Sequence, residues 1–100
     1  MKVIILSSSP RRKGNSEILC EQFAKGAKEA GHSVEMVNLN DYHIGFCLAC
    51  EYCRQHDHVC IRKDDANHII DKIIEADVFV MATPVYFYSL SGQLKTLIDR

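Results

Sequence analysis

Val3-Ile4-Ile5-Leu6 is an unbroken apolar run, and it leads directly into the turn-rich stretch Ser7-Ser8-Ser9-Pro10-Arg11-Arg12-Lys13-Gly14-Asn15. An apolar run without alternation marks a strand covered on both faces, the pattern of a parallel sheet flanked by helices. The strand is predicted over Lys2–Leu6. Helical spacing follows over Ser16–Ala30, with Ile18, Leu19, Phe23, Ala27 and Ala30 on the expected inner face and Gly31 as the stop. A second, less buried strand is expected over Val34–Leu39. Asp64 or Asp65 can cap a helix whose stripe is Ile69, Ile70, Ile73 and Ile74, ending near Ala76. Val78–Ala82 reads as another buried strand. Ser91 can cap a last helix with Leu94, Leu97 and Ile98 inward.

This βαβαβα order implies an α/β fold with right-handed crossovers: three layers, α/β/α, around a parallel sheet of strand order 2-1-3. The order reverses between the first and third strands. Open α/β sheets bind ligands there, beyond the C-terminal strand ends. The loops Ser7–Asn15 and Thr83–Leu90 converge on that crevice.

A chain of 100 residues has room for one core, so residues 1–100 are read as one domain. Twelve Lys plus Arg against thirteen Asp plus Glu leave a net charge of -1, which excludes a nucleic-acid binder held by phosphate attraction. The opening apolar run is too short for a signal peptide core or a membrane span, so no membrane partner and a cytoplasmic location are expected. Five cysteines in a reducing compartment are free thiols, metal ligands or redox groups rather than a disulfide framework.

The first loop runs from a strand into a helix N-terminus, where free N–H groups and the positive end of the helix dipole favour an anion. Three hydroxyls, three cations and Asn15 surround that point, which suits a phosphate group. The loop lacks the Gly–Lys–Ser/Thr ending of an ATP loop and the GxGxxG turn of a dinucleotide site. The plainer alternative is a solvated turn with a cap at Asn15 or Ser16. The second loop places Tyr86-Phe87-Tyr88 in the opposite wall. Such a surface suits a planar ring, or else packs on the domain's flank or on a partner subunit.

Together the two loops resemble the flavodoxin-like family of FMN-dependent oxidoreductases, especially the branch of NAD(P)H-dependent FMN reductases and iron–sulfur flavoproteins. Ser9-Pro10-Arg11 followed by Gly14-Asn15-Ser16 looks like that family's phosphate loop. Thr83-Pro84-Val85-Tyr86, with Ser91-Gly92-Gln93-Leu94-Lys95 and Ile98-Asp99-Arg100, looks like its flavin loop and following helix. The resemblance spans Met1–Arg100. It implies that Ser9, Arg11, Asn15 and Ser16, with Ser7 in the same loop, bind the FMN phosphate. It further implies that Pro84, Val85, Tyr86 and Phe87 contact the ribityl chain and ring. Ser8 stands where the family commonly has glycine. The family fold has five strands, so this chain reads as truncated on its C-terminal side.

Cys47, Cys50, Cys53 and Cys60 form C-x2-C-x2-C-x6-C within the long irregular stretch Asn40–Lys63. Three thiols at three-residue steps can wrap one compact inorganic centre, and a fourth can close it. In the iron–sulfur flavoproteins resembled here, a similar run holds a four-iron four-sulfur cluster. Zinc with His56 or His58, a redox dithiol from a CxxC pair, and plain reduced thiols are the alternatives. Cys20 reads as a small packing residue.

The function so implied is an FMN-dependent oxidoreductase that passes electrons from the co-substrate NAD(P)H to a small-molecule or protein acceptor. The flavin supplies the chemistry, and no catalytic residue is assigned to the protein. The alternatives are an electron-transfer flavoprotein that does not react directly with NAD(P)H, and a non-catalytic fragment. The apolar third strand would be an edge in a chain ending at Arg100. Either the natural chain continues or another subunit covers that strand, so a homodimer or higher homo-oligomer is expected.

Overall fold

The computed structural model describes residues 1–100. Its sheet has three parallel strands in the order β2-β1-β3. These are β1 (Lys2–Ser7), β2 (Ser33–Asn38) and β3 (Val78–Ala82), linked by helices α1 (Asn15–Glu29) and α2 (Asp65–Glu75) and followed by α3 (Gly92–Ile98). The expected flavodoxin-like three-layer order is present. β1 is paired on both sides, with Leu6 level with Val37 and Met81.

Alternate side chains of β1 feed two cores. Ile4 and Leu6 pack with Val37, Leu39, Ala66, Ile69, Leu94 and Leu97. Val3 and Ile5 pack with Cys20 and Ala24 on the other face. The helix ends follow the expected chemistry. Asp64 caps α2 by accepting from Ala66 N–H, and Ser91 caps α3 by accepting from Leu94 N–H. At the end of α1, Gly31 has φ 89°. The N–H groups of Gly31 and His32 return to Lys28 O and Ala27 O, each at 3.0 Å, closing a Schellman turn.

Four expectations need correction. The buried face of α1 is Cys20 and Ala24, while Ile18, Leu19 and Phe23 stay about half exposed or more and Ala30 is exposed. Bulky Val3 and Ile5 fill the space beneath the helix, so the helix presents its small residues at the crossing. Ile74 and Ile98 also face outward, since the stripes of α2 and α3 narrow to Ile69 and to Leu94 with Leu97. β3 is not a fully buried strand. Phe79 and Met81 remain 42% and 49% exposed because the helices on that face cover β1 and β2 instead. β2 ends one residue earlier than expected, and Leu39 opens a short 3-10 turn.

The reassigned face of α1 is testable. Ala24→Leu is expected to cost about 1–3 kcal/mol by overpacking, whereas Phe23→Ala should change stability by less than about 1 kcal/mol. Denaturant unfolding measures both, and a larger loss at Phe23 would restore the face read from spacing.

Candidate functional site

The three serines after β1 do different work. Ser7 is buried beneath the loop. Its hydroxyl lacks a nitrogen or oxygen partner and lies against the Cys20 thiol. Burial pushes that thiol up, and the Ser7 contact opposes the shift. Ser8 donates to Ala82 O twice, from its N–H at 3.0 Å and from Oγ at 2.9 Å. Ser9 Oγ accepts from Arg11 N–H at 3.2 Å, and Ser9 O accepts from Asn40 Nδ2 at 2.8 Å.

Hydroxyls tie this loop to the one after β3. Ser91 Oγ donates to Ser8 Oγ at 2.9 Å, and Ser91 N–H donates to Thr83 Oγ1 at 2.9 Å. Thr83 Oγ1 donates in turn to Pro84 O at 2.9 Å. Ser8 and Ser91 are fully buried, so the bond between their hydroxyls is shielded from competing water. Sequence reasoning missed this relay because its members lie 83 residues apart.

Helix α1 is capped by Gly14, which offers no side chain. Among the backbone bonds, Ile18 N–H returns to Gly14 O, whereas the N–H groups of Asn15, Ser16 and Glu17 find no acceptor in the chain. A Cβ at Gly14 would sit 3.0 Å from Arg11 Cδ, so glycine lets the Arg11 stem lie close over the helix start. Arg12 is occupied by Asp41 and Glu17. Arg11 has no acidic partner and lines the cleft, which distinguishes it from the neighbouring cations.

That cleft has a volume of about 410 Å³. Ser9, Arg11, Gly14, Asn15 and Ser16 form one wall, and Pro84, Val85 and Tyr86 form the other. Seven of the nine expected cofactor residues therefore meet, while Ser7 and Phe87 do not line it. Tyr86 and Ser89 exchange backbone hydrogen bonds of 2.8 and 3.0 Å across a two-residue turn. Its central residues, Phe87 and Tyr88, have φ 48° and 66°. Left-handed backbone at bulky residues costs on the order of 1–3 kcal/mol each. The turn directs Tyr86 into the cleft and holds Phe87 and Tyr88, which touch edge to face, almost wholly in solvent.

The cysteines form a second candidate site. Cys47, Cys50, Cys53 and Cys60 are free thiols and all line one cavity of about 50 Å³, together with Arg62 and Arg100. No three His, Cys, Asp or Glu side chains are arranged to hold a single metal ion. His56 stacks on Tyr52 at 3.6 Å, with Nδ1 2.8 Å from Tyr52 O, which engages it away from the thiols. The loop turns through left-handed residues at Ala49, Glu51, Asp57 and His58.

Beneath this loop, Arg100 grips Asp64 with two bonds of 2.7 and 3.1 Å, and both side chains are buried. Burial alone would raise the Asp64 carboxyl. The Arg100 bonds and the N–H groups of Gly45 and Ala66 outweigh it and hold the group down at about 2, against an ordinary 3.8. The same bond to Asp64 raises Arg100 further above its ordinary range. Asp64 was legible as a cap, but its distant partner was not.

A 2-1-3 parallel sheet with unpaired helix N–H groups after its first strand and a Pro84–Tyr86 wall after its third is a flavodoxin-like architecture. Residues 1–100 match the family described as NADPH-dependent FMN reductase, and the chain belongs to that family. It is 39% identical over 100 residues to an iron-sulfur flavoprotein of Archaeoglobus fulgidus, covering all of this chain and 48% of the relative. An iron-sulfur flavoprotein of Methanocaldococcus jannaschii is 38% identical, with 51% of its length covered. Among solved structures, the NAD(P)H:quinone oxidoreductase from Methanothermobacter marburgensis superposes with a TM-score of 0.79 at 28% identity, over 100% of this chain and 52% of that one. The chain spans about half the length of the curated relatives it matches. No helix is long and apolar enough to cross a membrane.

Because the folded Asp64 carboxyl lies below its unfolded value, its stabilisation is complete above pH 3.8 and drains away as pH falls toward about 2. Thermal melts across that window should show the loss. Asp64→Asn should cost about 3 kcal/mol at neutral pH, because it leaves Arg100 buried without a charge partner. It should also show a flatter acid profile, and matching acid profiles would assign the response to other carboxylates.

Proposed function

We propose that this chain forms the FMN-binding part of an oxidoreductase that takes electrons from NAD(P)H and delivers them to a small-molecule or protein acceptor. The observation that carries this reading is the cleft that sets unpaired Arg11 and the free N–H groups of α1 opposite Pro84, Val85 and Tyr86. Its size falls in the range of sites for small molecules and cofactors, about 300–1,000 Å³. Arg11, Ser9 Oγ, the Asn15 side-chain amide and the N–H groups of Asn15 and Ser16 would hold the phosphate, with the helix dipole adding attraction. Pro84–Tyr86 would pack against the ring end, and Tyr86 offers an aromatic face. Bound FMN supplies hydride and electron transfer, while these residues orient it. A Pseudomonas putida relative is named FMN reductase (NADPH), which supports the direction of electron flow. The open edge of β3 is where a further strand, from a second copy or a longer chain, would pair.

A second group is favoured by the four cysteines around one cavity. A single zinc ion needs its donors about 2.0–2.3 Å from one point, and no three donors are so disposed. A polynuclear cluster instead takes sulfurs from several cysteines around one void, and the four cysteines line a common cavity. We read Cys47, Cys50, Cys53 and Cys60 as ligands for an iron–sulfur cluster that would supply one-electron transfer. The names of the archaeal relatives support that assignment.

Two measurements test these readings. Arg11→Ala and Asn15→Ala should each weaken FMN by roughly tenfold, as expected for about 1.4 kcal/mol of lost phosphate contact, and should barely affect riboflavin, which lacks the phosphate. Equal losses for both ligands would refute the phosphate assignment. Anaerobic reconstitution with iron and sulfide should give visible absorbance that Cys50→Ser and Cys53→Ser abolish. Full retention of iron in both variants would remove these residues from the ligand set.

A further inference from the structure

Arg100 serves both ends of the cysteine loop and still has one donor unused. Nη1 donates to Gly45 O and Asp64 Oδ2, each at 2.7 Å. Nη2 donates to Asp64 Oδ1 at 3.1 Å and to Arg62 O at 3.4 Å. Gly45 precedes Cys47 and Arg62 follows Cys60, so one guanidinium closes the base of the loop. The side chain is fully buried, yet its Nε–H has no hydrogen-bond partner. A buried donor left unpaired is costly and marks a group waiting for an acceptor.

The nearby acceptor is sulfur. Arg100 lines the same cavity as the four cysteines, and the Cys60 thiol lies within its reach. Cys60 is also the least exposed of the four. A neutral thiol is a weak acceptor, whereas a ligand thiolate is a strong one. Asp64 holds the guanidinium plane by two bonds, so Nε is presented in a set direction.

We propose that Arg100 is a positioning residue for the cysteine site: its buried Nε–H donates to the Cys60 sulfur when that sulfur is a ligand thiolate, and so raises the reduction potential of the bound cluster. This rests on the iron–sulfur reading given above. Hydrogen bonds to ligand sulfur withdraw charge from a cluster and favour its reduced state. Lysine at this position would keep a positive charge but lacks the planar fork that grips both Asp64 oxygens and the separate Nε–H that this fork aims.

The test compares wild type and Arg100→Lys after anaerobic reconstitution with iron and sulfide. Iron and sulfide per chain are counted, and the midpoint potential is read by optical redox titration. Arg100→Lys should hold the cluster at a more negative potential. Equal potentials at equal cluster content would overturn the proposal, because a purely structural arginine would alter stability and leave the potential alone. Should Arg100→Lys fail to fold, the wild type alone decides. Protein labelled with nitrogen-15 arginine should show an arginine nitrogen coupled to the reduced cluster by pulsed electron paramagnetic resonance, and the coupling should persist in Arg62→Lys. Its absence would overturn the proposal. Failure of the underlying reading looks different: wild-type protein would take up no iron and sulfide, and this role for Arg100 would fall with it.

Discussion

β1 is the strand with neighbours on both sides, and the geometry of the cleft between the two loops descends from that pairing. Its parallel register with β3 brings Ser7 level with Ala82, so the loops that follow the two strands start side by side. Its alternating side chains anchor α1 on one face and α2 with α3 on the other. The start of α1 is thereby held where its unpaired N–H groups face the crevice. A slip of one residue in β1 would exchange the two faces and dismantle both cores.

Pairing brings the loops together, and the hydroxyl relay then locks them. Ser8 spends its N–H and its Oγ on a carbonyl at the end of β3, and Ser91 returns a bond to Ser8 while capping α3. The hydroxyls of Ser8, Thr83 and Ser91 are thus satisfied internally, and the cleft walls keep Arg11 and the helix N–H groups available. This division explains why three adjacent serines and three adjacent cations are not equivalent. Ser7 lies under the loop, Ser8 fastens it and Ser9 lines the cleft. Arg12 is neutralised by Asp41 and Glu17, and Arg11 is left free.

The cysteine loop has little aliphatic packing, and its base is organised by a buried ion pair instead. Such pairs add little net stability when compared with apolar replacements, because desolvation offsets attraction. Their directional bonds nevertheless set geometry. Asp64 caps α2, receives Gly45 N–H and holds Arg100, so one carboxylate joins a helix start, a loop entrance and the second residue beyond α3. This arrangement places four thiols around a common cavity without a large hydrophobic core beneath them.

Local features were legible because their causes are local. The unbroken run in β1, Gly31 after α1, the caps Asp64 and Ser91, and the spacing of Cys47, Cys50 and Cys53 all act within a turn or two of chain. The crevice between the first and third strands was legible because alternating strands and helices admit few topologies. The buried face of α1 was not, since periodicity offered Ile18 and Phe23 while the space left by Val3 and Ile5 accepted only Cys20 and Ala24. Tyr86, Phe87 and Tyr88 could not be separated by composition, because a left-handed turn turns one inward and two outward. The sequence by itself determined the order of elements, the caps and the chemical character of both loops, for those follow from neighbours along the chain. Tertiary structure alone decided which serine, which arginine and which partner for Asp64 matter, because burial and hydrogen bonding depend on residues tens of positions away that only folding brings into contact.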